Sequence, residues 1–217
     1  MAWNALLLGM IGVYATYKTG SYTVQFKSLK YLGYSIGALF FTLIYLSSFL
    51  EAVLNAFNMT IYAGQLSEWF EIIAVSFILS GLALLIRESK PVFAQFPLIY
   101  TAVPLLVVVS YWLVKDTLAI KEWLMSIYQG GALLVAILMY GVHSYRIPQF
   151  IYTFAASLFF LITFVVYWFV PGVQGSYPWI WQLLLGISVL MVVYGLEHSI
   201  NTLEKQQANR MEKTVSQ

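Results

Sequence analysis

Three glutamates stand at the ends of two neighbouring apolar segments, and their side chains are the first in this sequence that could do chemistry. Glu51 lies one turn before the end of one segment, and Glu68 and Glu71 open the next. A spacing of three places Glu68 and Glu71 on one face of a helix. No Lys or Arg lies between Glu51 and Glu71, so nothing local neutralises these carboxylates. The set predicts an acidic site for a cation, a proton or an amine.

A plainer interpretation of the same residues stays open. Carboxylates in the first turn of a helix are stabilised by the positive end of its dipole, so Glu68 and Glu71 could be capping residues. If Glu51 and Glu71 were instead buried together, the pair would share a proton and could sense external pH or relay protons. The sequence alone does not separate capping from binding.

Amides and tryptophans at comparable depth complete the predicted ligand site, which comprises Glu51, Glu68, Trp69, Glu71, Gln129, Trp179 and Gln182. All the tryptophans fall near the same predicted ends of the apolar segments. They are Trp3, Trp69, Trp112, Trp123, Trp168, Trp179 and Trp181. Tryptophan favours the membrane interface, so lipid anchoring is the simpler explanation, and an aromatic pocket would need several rings to face inward.

Two histidines mark the opposite ends of the apolar segments. His143 ends the fifth segment, and His198 follows Glu197 at the end of the seventh. Histidines on two helices can hold a haem, and Glu197 could add a third metal ligand. Two histidines are too few for a two-haem bundle, and without cysteine there is no C-x-x-C-H motif. We therefore predict ordinary interfacial histidines and no cofactor, with haem as an open alternative.

The composition sets the class of protein. Of 217 residues, 61% are hydrophobic and only 9% are charged, with a mean hydropathy of +0.80. A soluble domain carries about 25% charged residues, so a soluble enzyme or a nucleic-acid binder is excluded. The absence of cysteine excludes disulfides, thiolate metal sites and a cysteine nucleophile. The sequence also lacks G-x-S-x-G, H-E-x-x-H and phosphate-loop motifs, so no enzyme activity is predicted.

Seven apolar segments approach the roughly 20 residues that a membrane-spanning helix needs. They are residues 2–17, 31–54, 69–86, 92–114, 123–142, 148–170 and 179–200. The predicted fold is therefore an all-α, polytopic bundle of seven transmembrane helices over residues 1–200, followed by a short polar cytoplasmic tail, 201–217. Small residues at four-residue spacing, such as Gly33 and Gly37, predict close helix packing.

The basic residues predict the orientation. With seven spans, nine Lys or Arg fall on the side of the C-terminus and only Lys115 and Lys121 on the other. The positive-inside rule then puts the C-terminus in the cytoplasm and the N-terminus outside, in what we take to be a bacterial cytoplasmic membrane. This is the layout of a rhodopsin, but no lysine lies between Lys121 and Lys205, so covalent retinal in the seventh helix is excluded.

Residues 43–91 resemble the second and third helices of the seven-helix sensor region at the N-terminus of some bacterial histidine kinases. In that family an acidic residue late in the second helix precedes an aromatic-rich start of the third, and Glu51 and Trp69-Phe70-Glu71 are the matching positions. No kinase domain follows in this sequence. The resemblance implies a sensory bundle that signals through another protein.

Three functional hypotheses follow from these patterns. The leading one is a non-enzymatic sensory or regulatory membrane module, with an outward-facing acidic and aromatic site and a protein partner on the cytoplasmic side. The second is a small transporter or channel for a cation, a proton or an amine. The third is a haem-binding or accessory subunit of a membrane complex. The expected partners are the lipid bilayer and a cytoplasmic protein that the sequence does not identify. No nucleic-acid partner is expected, and the chain could form a homo-oligomer.

Overall fold

A computed structural model describes residues 2–57, 64–89, 97–114 and 118–215. Within these residues the chain forms seven α-helices. They are α1 (Ala2–Phe26), α2 (Leu29–Ala56), α3 (Gly64–Ser89), α4 (Pro97–Leu113), α5 (Leu118–Arg146), α6 (Ile151–Phe169) and α7 (Pro178–Val215). A 3-10 turn over Pro148–Phe150 leads into α6. The architecture is all-helical, as predicted.

Five stretches of these helices are long and apolar enough to cross a membrane. They are Leu29–Ala56 in α2, Leu66–Ile86 in α3, Ile120–Arg146 in α5, Pro148–Phe169 up to the end of α6, and Pro178–Thr202 in α7. Helices of this length and composition belong to an integral membrane protein. Helix α4 has 17 described residues, and residues 92–96 of the predicted fourth span lie outside the described residues.

Six helices pack in a closed ring, and α4 lies outside it. Following the contacts, α1 packs on α2, α2 on α3, α3 on α5, α5 on α6, α6 on α7, and α7 returns to α1. Helix α4 packs mainly on α3 and touches α5 only slightly. The order of the helices in the chain is therefore not their order around the ring, since α3 packs directly on α5.

The contacts also give the direction of each helix. Helices α1 and α7 are parallel, because Asn4 contacts Gln182 and, further along both helices, Lys18 contacts Glu197. Each sequential pair is antiparallel; for example, Gly130 of α5 faces Phe164 of α6, and further along α5 Gly141 faces the earlier Phe154. Helices α1, α3, α5 and α7 thus begin at one end of the bundle, which we call the amino end, and finish at the other, the carboxy end.

Glycines allow the closest helix approaches, as the small-residue spacing predicted. A Cβ on Gly33 of α2 would lie 2.9 Å from the carbonyl oxygen of Phe77 and 3.1 Å from the Cα of Gly81, both in α3. A Cβ on Gly195 of α7 would lie 2.8 Å from the backbone nitrogen of Thr153 in α6. Where lipid removes the hydrophobic drive for association, such backbone contact is what holds helices together.

Apolar side chains fill the bundle between its two ends. Leu82 and Leu85 of α3 pack with Ala132 and Tyr140 of α5 and with Leu196 of α7. Beside this cluster, the α6–α7 seam is polar: the Thr163 hydroxyl lies 2.8 Å from that of Ser188, and Thr153 and Ser199 meet nearer the carboxy end. Each serine also donates to the carbonyl four residues earlier, so its hydroxyl is satisfied within its own helix.

The third helix begins earlier than its apolar residues indicate. We predicted its start at residue 69, but α3 begins at Gly64, and no acidic residue lies in its first turn. The dipole effect fades within that turn, so capping does not explain Glu71. Helix α1 likewise continues to Phe26 and α7 to Val215, beyond the apolar segments that predicted them. Residues 216 and 217 of the predicted tail lie outside the described residues.

Candidate functional site

Glu71, Gln129 and Trp168 form a hydrogen-bonded chain across three helices at the amino end. The Gln129 side-chain amide donates to Glu71 Oε1 at 2.7 Å, and the Trp168 indole Nε1 donates to Gln129 Oε1 at 2.9 Å. An indole N–H can only donate and an ionised carboxylate can only accept, so the amide of Gln129 is held in one orientation. We call this set the Glu71 chain; it joins α3, α5 and α6.

Aromatic side chains from α2, α6 and α7 lie around the Glu71 chain. Tyr45 of α2 and Tyr167 of α6 lie close enough to Glu71 to experience its charge. The Tyr167 ring packs edge-on against Trp168 at 5.1 Å and against Trp181 of α7 at 4.9 Å between centroids. The indole nitrogen of Trp181 is buried and has no hydrogen-bond partner among the described residues. Five helices thus contribute polar or aromatic groups to one place.

Glu68 and Trp69 form a separate arrangement on the side that faces α4. The Tyr111 hydroxyl of α4 donates to Glu68 Oε2 at 3.2 Å, and the Trp69 ring packs edge-on against Tyr111 at 5.9 Å. The Lys121 ammonium lies 5.4 Å from the centre of the Tyr111 ring. The two predicted carboxylates of α3 therefore have different partners: Glu71 bonds to α5 inside the ring, and Glu68 bonds to α4.

The structure does not bring the remaining predicted residues to Glu71. Gln182 accepts a hydrogen bond from Asn4 at 3.1 Å on the α1–α7 contact. Trp179 is 55% exposed. Glu51 is half-buried near the end of α2, with no hydrogen bond or ion pair among the described residues. The acidic pair proposed for Glu51 and Glu71 is therefore not seen as a contact, and the predicted set divides into smaller groups.

An ion pair links α1 to α7 near the carboxy end. Lys18 Nζ lies 2.6 Å from Glu197 Oε1, with the two side chains 25% and 30% exposed. From the sequence, Glu197 is a candidate metal ligand and the inner end of a polar transport path; in the structure it pairs with a lysine from the first helix. Because α7 continues to Val215, this contact fixes α7 shortly before it extends beyond the ring.

His143 and His198 occupy separate aromatic surroundings. His143 Nδ1 lies 2.8 Å from the Met139 carbonyl, so that nitrogen carries the proton, and the ring packs edge-on against Phe150. His198 packs edge-on against Tyr152 at 4.6 Å. In the part of the chain that the structure describes, no three His, Cys, Asp or Glu residues come together as metal ligands.

Sequence reasoning missed Trp168 as a site residue, although a signal for it exists. Helix α6 buries Thr153, Ser157 and Thr163 on one face. Trp168 is 11 residues after Ser157, about three helical turns, and so lies on nearly the same face. Of the tryptophans, Trp3, Trp112 and Trp123 are strongly exposed, which fits anchoring. The positions of Thr153, Ser157 and Thr163 along α6 therefore indicate that Trp168 faces the other helices and is not a lipid anchor.

Comparison with known proteins adds no relative to this description. The chain matches no protein-family model, no curated protein and no solved structure.

Proposed function

We propose that this chain is a sensory or regulatory membrane module and that the Glu71 chain is the element that responds. The observation that carries the proposal is the geometry of Gln129, whose two amide atoms bond to a carboxylate of α3 and an indole of α6. A cation, an amine or a proton arriving at Glu71 would compete with the Gln129 N–H for the carboxylate. Because the amide is fixed at both ends, a change at Glu71 would also be felt at Trp168.

The proposal includes a membrane arrangement. All seven helices cross the bilayer, the N-terminus is outside, and the amino end with the Glu71 chain faces outward. The alternating helix directions and the nine-to-two distribution of basic residues support this arrangement. The resemblance of residues 43–91 to the sensor region of histidine kinases supports a sensory role, with a cytoplasmic protein partner near the end of α7.

The apolar core favours sensing over transport. A transporter would need a polar path from Glu71 to Glu197, and Leu82, Ala132 and Leu196 pack against one another between these levels. The polar side chains at this level are hydroxyls that already have partners: Ser188 and Ser199 donate within their own helix, and Tyr140 donates to Tyr34 at 3.3 Å. We therefore keep transport as the second candidate and test it by flux in proteoliposomes.

Distance measurement between spin labels tests the sensory proposal. The chain has no cysteine, so labels can be attached at Tyr145→Cys in α5 and Asn201→Cys in α7, two exposed sites at the carboxy end of the bundle. We expect the label distance to change when the external solution is shifted from about pH 8 to about pH 5 or when an amine is added. Glu71→Gln and Gln129→Leu should abolish this change.

Glu122→Gln is the matched control, since Glu122 is an exposed carboxylate of α5 at the same end. This variant should respond like the original chain. A response that survives in Glu71→Gln, or a chain that responds to none of these stimuli, would show that the Glu71 chain is not a sensor.

A further inference from the structure

A small cavity opens where α6 ends, directly beside the Glu71 chain. It measures about 280 Å³ and is lined by Tyr167, Trp168, Phe169, Val170, Pro171, Gly172 and Gln174. This volume is near the lower end for ligand pockets, which start at roughly 300 Å³, so the cavity suits a small ligand. Trp168 belongs both to the cavity wall and to the Glu71 chain.

The backbone at this helix end offers hydrogen-bond acceptors. Pro171 has no N–H and cannot bond to the carbonyl of Tyr167, four residues earlier. The Gln174 side-chain amide takes that place and donates to the Tyr167 carbonyl at 2.9 Å. The carbonyls of Trp168 and Phe169 accept no hydrogen bond from the described residues.

The charge and shape of the cavity favour a cation. The carboxy end of a helix carries a partial negative charge of about half an electron, and the lining contains no Lys, Arg or His to oppose it. Gln174, another lining residue, has a further acceptor in Oε1, because the bond to the Tyr167 carbonyl uses only its amide nitrogen. Aromatic side chains can also attract cations, and Trp168 and Tyr167 are both among the lining residues.

We propose that this cavity binds a primary ammonium group through the carbonyls at the end of α6 and Gln174. Several N–H donors suit several acceptors, whereas a quaternary ammonium could not use them. The ammonium could come from a free small amine or from the headgroup of phosphatidylethanolamine, because the cavity is at the end of a membrane helix. The functional effect of this binding rests on the proposed function: an ammonium group in the cavity would act on Trp168 and, through its bond to Gln129, on the Glu71 chain.

Ligand-observed saturation-transfer NMR, which detects weak binding, tests the site with protein in phosphatidylcholine nanodiscs. We expect ethanolamine to give a transfer signal that 1-propanol and tetramethylammonium do not. If the lipid headgroup is the natural source, adding phosphatidylethanolamine to the nanodisc should suppress the ethanolamine signal; if the source is a free amine, the signal should persist. Equal signals from all three probes, or no ethanolamine signal in phosphatidylcholine, would overturn the inference.

Two substitutions at Gln174 give effects of opposite sign. Gln174→Ala removes an acceptor and should weaken ethanolamine binding by about fivefold or more, whereas Gln174→Glu adds a charge and should tighten it by a similar factor. If Gln174 only held the loop in place, both would weaken binding, and the inference would fail. Trp123→Phe, which changes an exposed tryptophan at the same end, is the matched control and should bind normally.

The spin-label experiment separates this inference from the proposed function. If ethanolamine binds as described but the label distance still changes in Glu71→Gln, the cavity stands and the sensory role of Glu71 falls. If ethanolamine does not bind but the Glu71-dependent response to pH remains, the cavity inference falls and the proposed function stands.

Discussion

Lys18 and Glu197 are 179 residues apart in the chain, yet their charged groups meet at 2.6 Å and join the first helix to the last. The pair closes the ring of six helices near the carboxy end. Because the two side chains are only 25% and 30% exposed, water can compensate only partly for a lost partner. The contact therefore joins α1 to α7 just before α7 extends beyond the other helices of the ring.

Removing one partner should weaken the bundle. We expect Lys18→Met to lower the free energy of unfolding by about 1–2 kcal/mol, because Glu197 would be left without its counter-charge. Lys27→Met should change it by less than about 0.5 kcal/mol, since Lys27 is exposed. Exchanging the charges in Lys18→Glu with Glu197→Lys should recover most of the loss in thermal unfolding. An exchange no better than either single variant would contradict an ion-pair role.

Glycine substitutions should separate packing from helix propensity. Gly33→Ala would put a methyl group against the backbone of α3, and forcing the helices apart should cost about 1–3 kcal/mol. Gly131 has no heavy atom within 4 Å of an added Cβ, so Gly131→Ala should be neutral or stabilise by up to about 1 kcal/mol. Thermal unfolding in one detergent compares the two. Equal losses would mean that α2 and α3 are not in contact at Gly33.

The bond from Trp168 to Gln129 can be tested with a smaller aromatic residue that has no N–H. Trp168→Phe keeps an aromatic ring but removes the N–H, so the carbonyl of Gln129 loses its donor. We expect a loss in stability of about 1 kcal/mol from the bond, with a further loss from the smaller ring, measured by thermal unfolding. Trp123→Phe, at an exposed position, should show no loss. If both variants behave alike, the indole bond does not contribute.

Chemical labelling checks the proposed membrane orientation. A cysteine introduced at Gly175, in the exposed connection between α6 and α7, should react with a membrane-impermeant maleimide on intact cells. Cysteines at Tyr145 and Asn201 should react only after the membrane is permeabilised. The reverse pattern would invert the topology. Labelling of all three from outside would show that Gly175 is on the same side of the membrane as Tyr145 and Asn201, so that neither α6 nor α7 crosses it.

The sequence predicted the helices better than their ends. Long apolar runs gave α2, α5 and α6 because exclusion from water is what sets membrane helices. The apolar residues did not show that α3 starts at Gly64 or that α1 reaches Phe26, since a helix can continue through polar residues where tertiary packing supports it, as Tyr22 does by packing against Tyr31. The peripheral place of α4 was also out of reach, because which helices touch depends on side-chain packing and not on hydropathy.

The candidate site was predicted in part for a related reason. Residue type and depth grouped Glu71 with Gln129, and in the structure their side chains are hydrogen-bonded. Depth says nothing about direction around a helix, so Glu51 and Trp179 were included although neither contacts Glu71 in the described residues. Lys18 was treated only as a topology marker, because its partner is on a helix at the other end of the chain.

Helix α7 has a mechanical consequence. It runs without a break for 38 residues, from Pro178 to Val215, which at 1.5 Å per residue is about 57 Å. Trp181, near its start, packs against Tyr167 beside the Glu71 chain. A continuous rod conveys a small rotation or axial slide along its whole length without melting. The proposed partner, bound at the far end of α7, would therefore be moved when the helix shifts as one rigid body about the Lys18–Glu197 contact.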